Sequence, residues 1–229
     1  MQNLLNSIQI QVNDSIYLKD PNSSDLGKKI VSEGLMLIDE IGLEQVTFKK
    51  LATRLGTTET SIYRYFDSKF KLLVYLTSWY WGWMEYQLVF STMNIANPTQ
   101  KLQKVIEILC NHNVGAIAGG MNLGVLSSVV VSESSKAYLT KAVDEANKVG
   151  FYIGYKRVVQ RMSDIMLEVN PDFSYPHTLS STIIEGIHHQ VYFAQHLPSL
   201  TDIPEQSNKL SEFYTLMAFA ALNEQNQNA

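Results

Sequence analysis

The chain has 229 residues, 45% of them hydrophobic, which suffices for one large domain or for a small one joined to a medium one. A net charge of −4 excludes a polycation, and the single cysteine, Cys110, excludes an internal disulfide framework and favours a reducing, cytoplasmic compartment.

The opening stretch, "MQNLLNSIQIQVND", lacks a basic start and a long apolar run, so no secretory signal is expected. Residues 8–18, "IQIQVNDSIYL", alternate apolar and polar around Asn13-Asp14. That pattern predicts either a small β-hairpin or an extended arm, and residues 1–23 are read as an N-terminal arm. Everything after Ser24 reads as helix. Leu26, Ile30, Leu37, Ile38 and Ile41 recur at three- and four-residue spacing, and Gly42 stops that helix. Thr47 caps a second helix with Phe48, Leu51, Ala52 and Leu55 on its inner face, and Gly56 stops it. Thr58 caps a third with Ile62 and Phe66 inward, and Ser68 caps a long fourth through Trp79, Trp83 and Phe90.

Further helices are expected at about 99–112, 117–131, 135–168, 177–196 and 205–223, separated by Pro98, Pro171, Pro176, Pro198 and Pro204. No strand pattern after residue 24 is convincing, so the fold class is all-α: a helix-turn-helix domain at 24–71 and a larger helical bundle at 72–229. Ile108 to Ser132 contains no Asp, Glu, Lys or Arg. Its Asn, His, Ser and Gly content favours buried helices over a membrane span, and no membrane partner is expected.

Residues 47–71 carry six basic and two acidic side chains, a local net of +4, whereas the segments on either side each sum to −4. A basic island in an acidic chain is a candidate anion-binding face. Lys49, Lys50, Lys69 and Lys71 also fall in the first turns of their helices, where the helix dipole disfavours cations by roughly 0.3–1 kcal/mol each. Free N–H groups and lysines converging there suit phosphate. Residues 58–66 then form a short recognition helix whose small hydroxyl side chains approach base edges.

At this point "TFKKLATRLGTTETSIYRYFDSKFKLL" resembles the DNA-binding half of the tetracycline-repressor (TetR) family of bacterial regulators. The shared marks are Thr47, Leu51-Ala52, Leu55-Gly56, Tyr63-x-Tyr65-Phe66, and Lys69 followed by Leu72. The close resemblance covers residues 25–76. It implies phosphate contacts at Thr47, Lys49, Tyr63, Tyr65 and Lys69. It implies base reading by Thr58, Glu59, Thr60, Ser61 and Arg64. Two departures stand out: Phe70 replaces an acidic residue usual in the family, and the segment before the first helix is longer than usual.

The resemblance further implies a small-molecule effector pocket, for which Trp79, Trp83, Tyr86, Met121 and Tyr155 are the candidates, though for any one aromatic ordinary core packing is the more usual explanation. The last two helices carry apolar stripes, Leu179, Ile183, Ile187 and Val191, then Phe213, Leu216, Met217 and Ala220, which suit a homodimer interface. A homodimer would set two readers one helical turn apart, ~34 Å, on a palindromic operator. His188-His189, Glu185 and Cys110-x-His112 lack metal-ligand spacing, and no catalytic or cofactor motif is present, so no metal, cofactor or enzyme activity is expected. The sequence thus points to a DNA-binding transcriptional regulator, a repressor released by an apolar ligand. The alternative is an all-α small-molecule binder or enzyme with an incidental helix-turn-helix.

Overall fold

The computed structural model describes residues 10–111, 116–204 and 207–224. Among them are eleven α-helices and one small hairpin of two-residue strands, an all-α fold as expected. Packing divides the chain into two compact units, one of residues up to 83 with 112–154, the other of 84–111 with everything from 155 onward.

In the first unit, residues 10–24 form no strand. Asn13 and Asp20 accept the N–H groups of Ser15 and Asn22 and so cap two 3-10 turns, Asp14–Ile16 and Pro21–Ser23. Side-chain capping at Asn13 stands where the hairpin turn was expected; residues 8 and 9 lie outside the described residues. Helix α1 (Asp25–Gln45) starts at Ser24, whose hydroxyl accepts the Gly27 N–H, and buries Ile30, Val31, Leu35, Leu37 and Ile38. Gly42 breaks this helix without ending it: its φ of 72° is one a Cβ would oppose, and helical residues resume to Gln45. The break frees the Leu43 N–H, which donates to Glu133 Oε1 at 3.2 Å.

Helices α2 (Phe48–Leu55) and α3 (Glu59–Tyr63) are capped by Thr47 and Thr58 as the sequence predicts. Helix α4 (Lys69–Thr92) starts at Ser68, whose hydroxyl accepts the Lys71 N–H. From Leu72 to Leu76, and again at Trp79, Tyr80, Trp81 and Trp83, its side chains are buried. Burial all round explains why no apolar stripe is visible there.

The expected helix at 117–131 begins late. Strands β1 (Ile117–Ala118) and β2 (Met121–Asn122) pair antiparallel across Gly119-Gly120, both at positive φ (53° and 79°). Two such residues are what a tight primed hairpin turn needs, and that chemistry overrides the helical pattern. Asn122 then caps α6 (Leu123–Glu133), which packs along α1. The continuous helix expected at 135–168 is three pieces: α7 (Ser135–Tyr138), α8 (Val143–Lys148) and α9 (Ile153–Val169). Thr140 accepts the Ala142 N–H with its hydroxyl, a local turn that competes with helix propagation.

The second unit contains α5 (Pro98–Cys110), most of α9, α10 (Pro176–His196) and α11 (Lys209–Glu224). α11 packs on α5 and α10. Ser163 and Ser180 share a hydrogen bond at 3.1 Å, and Asn170 Nδ2 donates to the Leu222 carbonyl at 2.7 Å. Ion pairs Arg161–Glu85 and Lys101–Glu168 fasten its rim. No described helix is long and apolar enough to cross a membrane.

Candidate nucleic-acid interface

The interface is built on α2 and α3. Leu51 and Ala52 of α2, and Ile62 and Phe66 around α3, are buried at 0–4% exposure. They pack the pair against α1 and hold the turn between them. Arg54 forks onto Glu40 with Nη1 and Nη2 (2.6 and 2.8 Å) and reaches Glu33 with Nε (2.7 Å), tying α2 to α1. A planar guanidinium makes such a two-pronged contact where lysine could not.

With those anchors inward, the other side chains are sorted by position. Thr58, Glu59, Thr60 and Arg64 are exposed and Ser61 is half-buried. The hydroxyls of Thr58 and Ser61 lie 2.9 Å apart, and Thr58 also accepts the Ser61 N–H. The first turn of α3 therefore presents a short ledge of hydroxyls and one carboxylate, able to meet base edges. Beside it, Thr47 and Lys49 are exposed at the start of α2. Tyr63 is 48% exposed, its ring held edge-on to Phe48 at 4.9 Å.

Two of the expected phosphate contacts have other work. Tyr65 is 3% exposed, its hydroxyl 2.7 Å from Ser24 Oγ; that hydrogen bond is the main cause holding its pKa below the usual tyrosine value. Lys69 Nζ donates to the carbonyls of Leu43, Glu44 and Val46 at 2.9, 2.7 and 3.1 Å. It therefore closes the end of α1 left open by the Gly42 break. The dipole argument needs the same correction. Lys50 Nζ donates to Gln45 O at 2.9 Å, and Lys71 Nζ to Ser15 O at 2.8 Å, so three of the four first-turn lysines satisfy the chain's own carbonyls. Lys50 and Arg54 are exposed but engaged, which leaves Lys49 and Arg64 as the exposed cations of the island that hold no carbonyl or carboxylate among the described residues.

Sequence reasoning missed Glu133. Its Oε1 holds Leu43 N–H, its Oε2 meets Lys136 Nζ at 2.7 Å, and Lys136 also reaches Glu44 at 3.6 Å. The pairing with Glu133, foremost, raises the Lys136 ammonium above its ordinary pKa. Ninety residues separate the carboxylate from the amide it caps, so no local signal could have found it.

The remaining candidates are dispersed. Trp79, Trp83 and Met121 are buried in the first unit, the two indoles stacked at 6.2 Å. Tyr86 and Tyr155 belong to the second unit. Tyr86 is 42% exposed and stacks on Phe90, and the Tyr155 hydroxyl donates to Glu185 Oε1 at 2.7 Å. Of the expected interface stripe, Leu179, Ile183 and Ile187 lie in the second unit's own core. They are unavailable to another subunit, because α10 turns that face toward its own neighbours. Phe213, Leu216 and Ala220 of α11 stay exposed, and Val191 and Met217 are half-buried. Burial raises the Cys110 thiol to about 12, so it is not a reactive nucleophile. Among the described residues no group of three or more His, Cys, Asp or Glu could hold a metal.

Two short helices joined by a tight turn on an all-α scaffold define a helix-turn-helix protein. Residues 30–76 match the model of the bacterial regulatory proteins of the tetR family, and this segment is a tetR-family domain. No curated protein matches the chain in sequence. Among solved structures it is similar to the fatty acid degradation regulator FadR from Bacillus halodurans, 16% identical with a TM-score of 0.60 over 85% of this chain and 96% of that one. AibR, solved with isovaleryl coenzyme A and operator DNA, is 13% identical with a TM-score of 0.58 over 83% and 97%. The ketosteroid transcriptional regulator KstR2 of Mycobacterium tuberculosis is 14% identical with a TM-score of 0.55 over 95% and 97%. At these identities the likeness is one of fold.

Proposed function

We propose that this chain is a sequence-specific DNA-binding transcriptional regulator, a repressor that a small apolar molecule releases from its operator. The observation that carries the reading is the hydroxyl ledge of α3, anchored from behind by Ile62 and Phe66 and flanked by exposed Thr47, Lys49, Tyr63 and Arg64. Thr58, Glu59, Thr60, Ser61 and Arg64 read bases in the major groove, and Thr47, Lys49 and Tyr63 hold phosphates. The tetR-family match supports DNA binding. AibR, solved with both operator DNA and an acyl coenzyme A, supports an effector in the helical region. A second copy pairs through the exposed Phe213, Leu216 and Ala220 of α11, so that two readers span a palindrome. An effector acts by favouring dimers whose readers no longer match the half-site spacing.

The test is selection from a random-sequence duplex library, followed by mobility shifts across a salt series. Enrichment of a palindromic sequence is expected, with affinity falling steeply as salt rises. Lys49→Ala combined with Tyr63→Phe should weaken binding to every duplex and flatten the log–log salt slope by about one, because one cationic phosphate contact is lost. Thr60→Ala should instead alter which bases are preferred and leave the slope alone. An unenriched library, or a Lys49→Ala/Tyr63→Phe chain indistinguishable from wild type, would overturn the assignment.

A further inference from the structure

The arm has so far no role, yet it is fixed at both ends. At one end Asn13 Nδ2 donates to Val149 O at 2.7 Å. Beside it Lys71 Nζ donates to Ser15 O and lies 4.2 Å from the centre of the Phe151 ring. At the other end the Leu18 N–H donates to Tyr65 O at 2.8 Å, and the Lys19 ammonium sits over the Tyr65 ring at 5.0 Å. In between, Ile16 is 1% exposed, Tyr17 packs edge-on to Tyr75, and Asn22 Nδ2 donates to the Tyr75 hydroxyl at 3.3 Å. A segment with neither long helix nor strand has few bonds of its own to hold it; here hydrogen bonds to distant residues and a buried isoleucine do so.

What the arm holds is specific. Tyr65 lies two residues beyond α3, and its own N–H donates back to Ile62 O. A five-residue helix has no stability of its own, so its direction is set by whatever grips its ends. Thr58 grips the start and the arm grips the finish. The arm's far anchor, the turn at Val149–Phe151, lies in the 112–154 stretch, which is remote in sequence from the helix-turn-helix but packed in the same unit.

We infer that residues 13–22 are a positioning strap. They set the angle of α3 from the Val149–Phe151 turn, so that movement of this turn changes duplex binding without the turn or the strap touching the duplex. The inference rests on the DNA-binding reading for its consequence, though not for its mechanics.

Two variants separate the strap from other roles. Asn13→Asp keeps the oxygen that caps the 3-10 turn and cannot donate to Val149 O. Lys71→Met keeps an apolar stem against Phe151 and cannot donate to Ser15 O. Amide hydrogen exchange on the full-length chain without DNA should show Leu18 and residues 63–66 exchanging about tenfold faster in either variant, through local opening. On the duplex enriched from the library, affinity should fall three- to tenfold with the salt slope of wild type, and Lys71→Arg should restore both readouts. The strap is refuted if exchange quickens only at residues 13–16 while Leu18 and 63–66 stay protected. It is equally refuted if Lys71→Met lowers the salt slope by about one and Asn13→Asp binds as wild type, since Lys71 would then be a phosphate contact. If wild type enriches no duplex, the DNA reading falls and the exchange data still decide the strap.

Discussion

Gly27→Ala is expected to melt about 2–12 °C below wild type. A Cβ on Gly27 would overlap the Pro21 carbonyl oxygen and stand 2.8 Å from both Pro21 Cα and Tyr65 Cε1. Two of these atoms are backbone, so rotamer change cannot relieve the overlap. The arm must lift from α1, and the Tyr65 ring must move with it. Overpacking of this kind costs typically 1–3 kcal/mol, and each kcal/mol lowers the midpoint of a chain this size by about 2–4 °C. Exchange at Leu18 should rise in parallel, because its acceptor is Tyr65 O. An unchanged melting curve would mean that the arm does not rest on α1 in solution.

Lys69→Met should have a comparable effect by a different route. The ammonium is the shared donor for the three carbonyls that end α1. Methionine matches the stem and leaves those oxygens without it. Hydrogen bonds to a charged group contribute roughly 1.5–3 kcal/mol, and partial exposure keeps the sum of the three to about 2–3 kcal/mol. A loss of about 4–12 °C in melting temperature follows, measurable by calorimetry. The turn being closed leads directly into Thr47 and α2, so duplex affinity should fall too, with an unchanged salt slope. The outcome that would sink this account is the reverse pattern, a normal melting temperature with a slope smaller by about one, the mark of a direct phosphate contact.

The helix-turn-helix was legible because its signals are local. Thr47, Gly56 and Thr58 punctuate it within a dozen residues, and Leu51, Ile62 and Phe66 recur on one face at helical spacing. The same locality misled elsewhere. Gly119-Gly120 and Thr140 interrupt apolar patterns that suit a helix, and turn chemistry at two or three residues outweighed a period spread over fifteen. The lysines were harder still. Composition marks Lys50, Lys69 and Lys71 as an anion-binding island, yet their partners are backbone carbonyls near or far along the chain, and carbonyls have no signature in sequence. Leu179, Ile183 and Ile187 make the same point for apolar residues. A stripe shows that a face is covered without showing whether its own chain or another covers it.

The brevity of α3 bears on how such a protein diverges. Of its five residues only Ile62 is buried, and Tyr63 packs on Phe48, so the fold leaves Glu59, Thr60 and Ser61 to vary at little cost in stability. Exposed substitutions away from caps usually change stability by no more than about 0.5 kcal/mol. If the ledge reads bases as proposed, a duplicated gene could acquire a new target sequence through one or two changes on it, each intermediate remaining folded, while Thr58, Ile62 and Phe66 keep their structural roles.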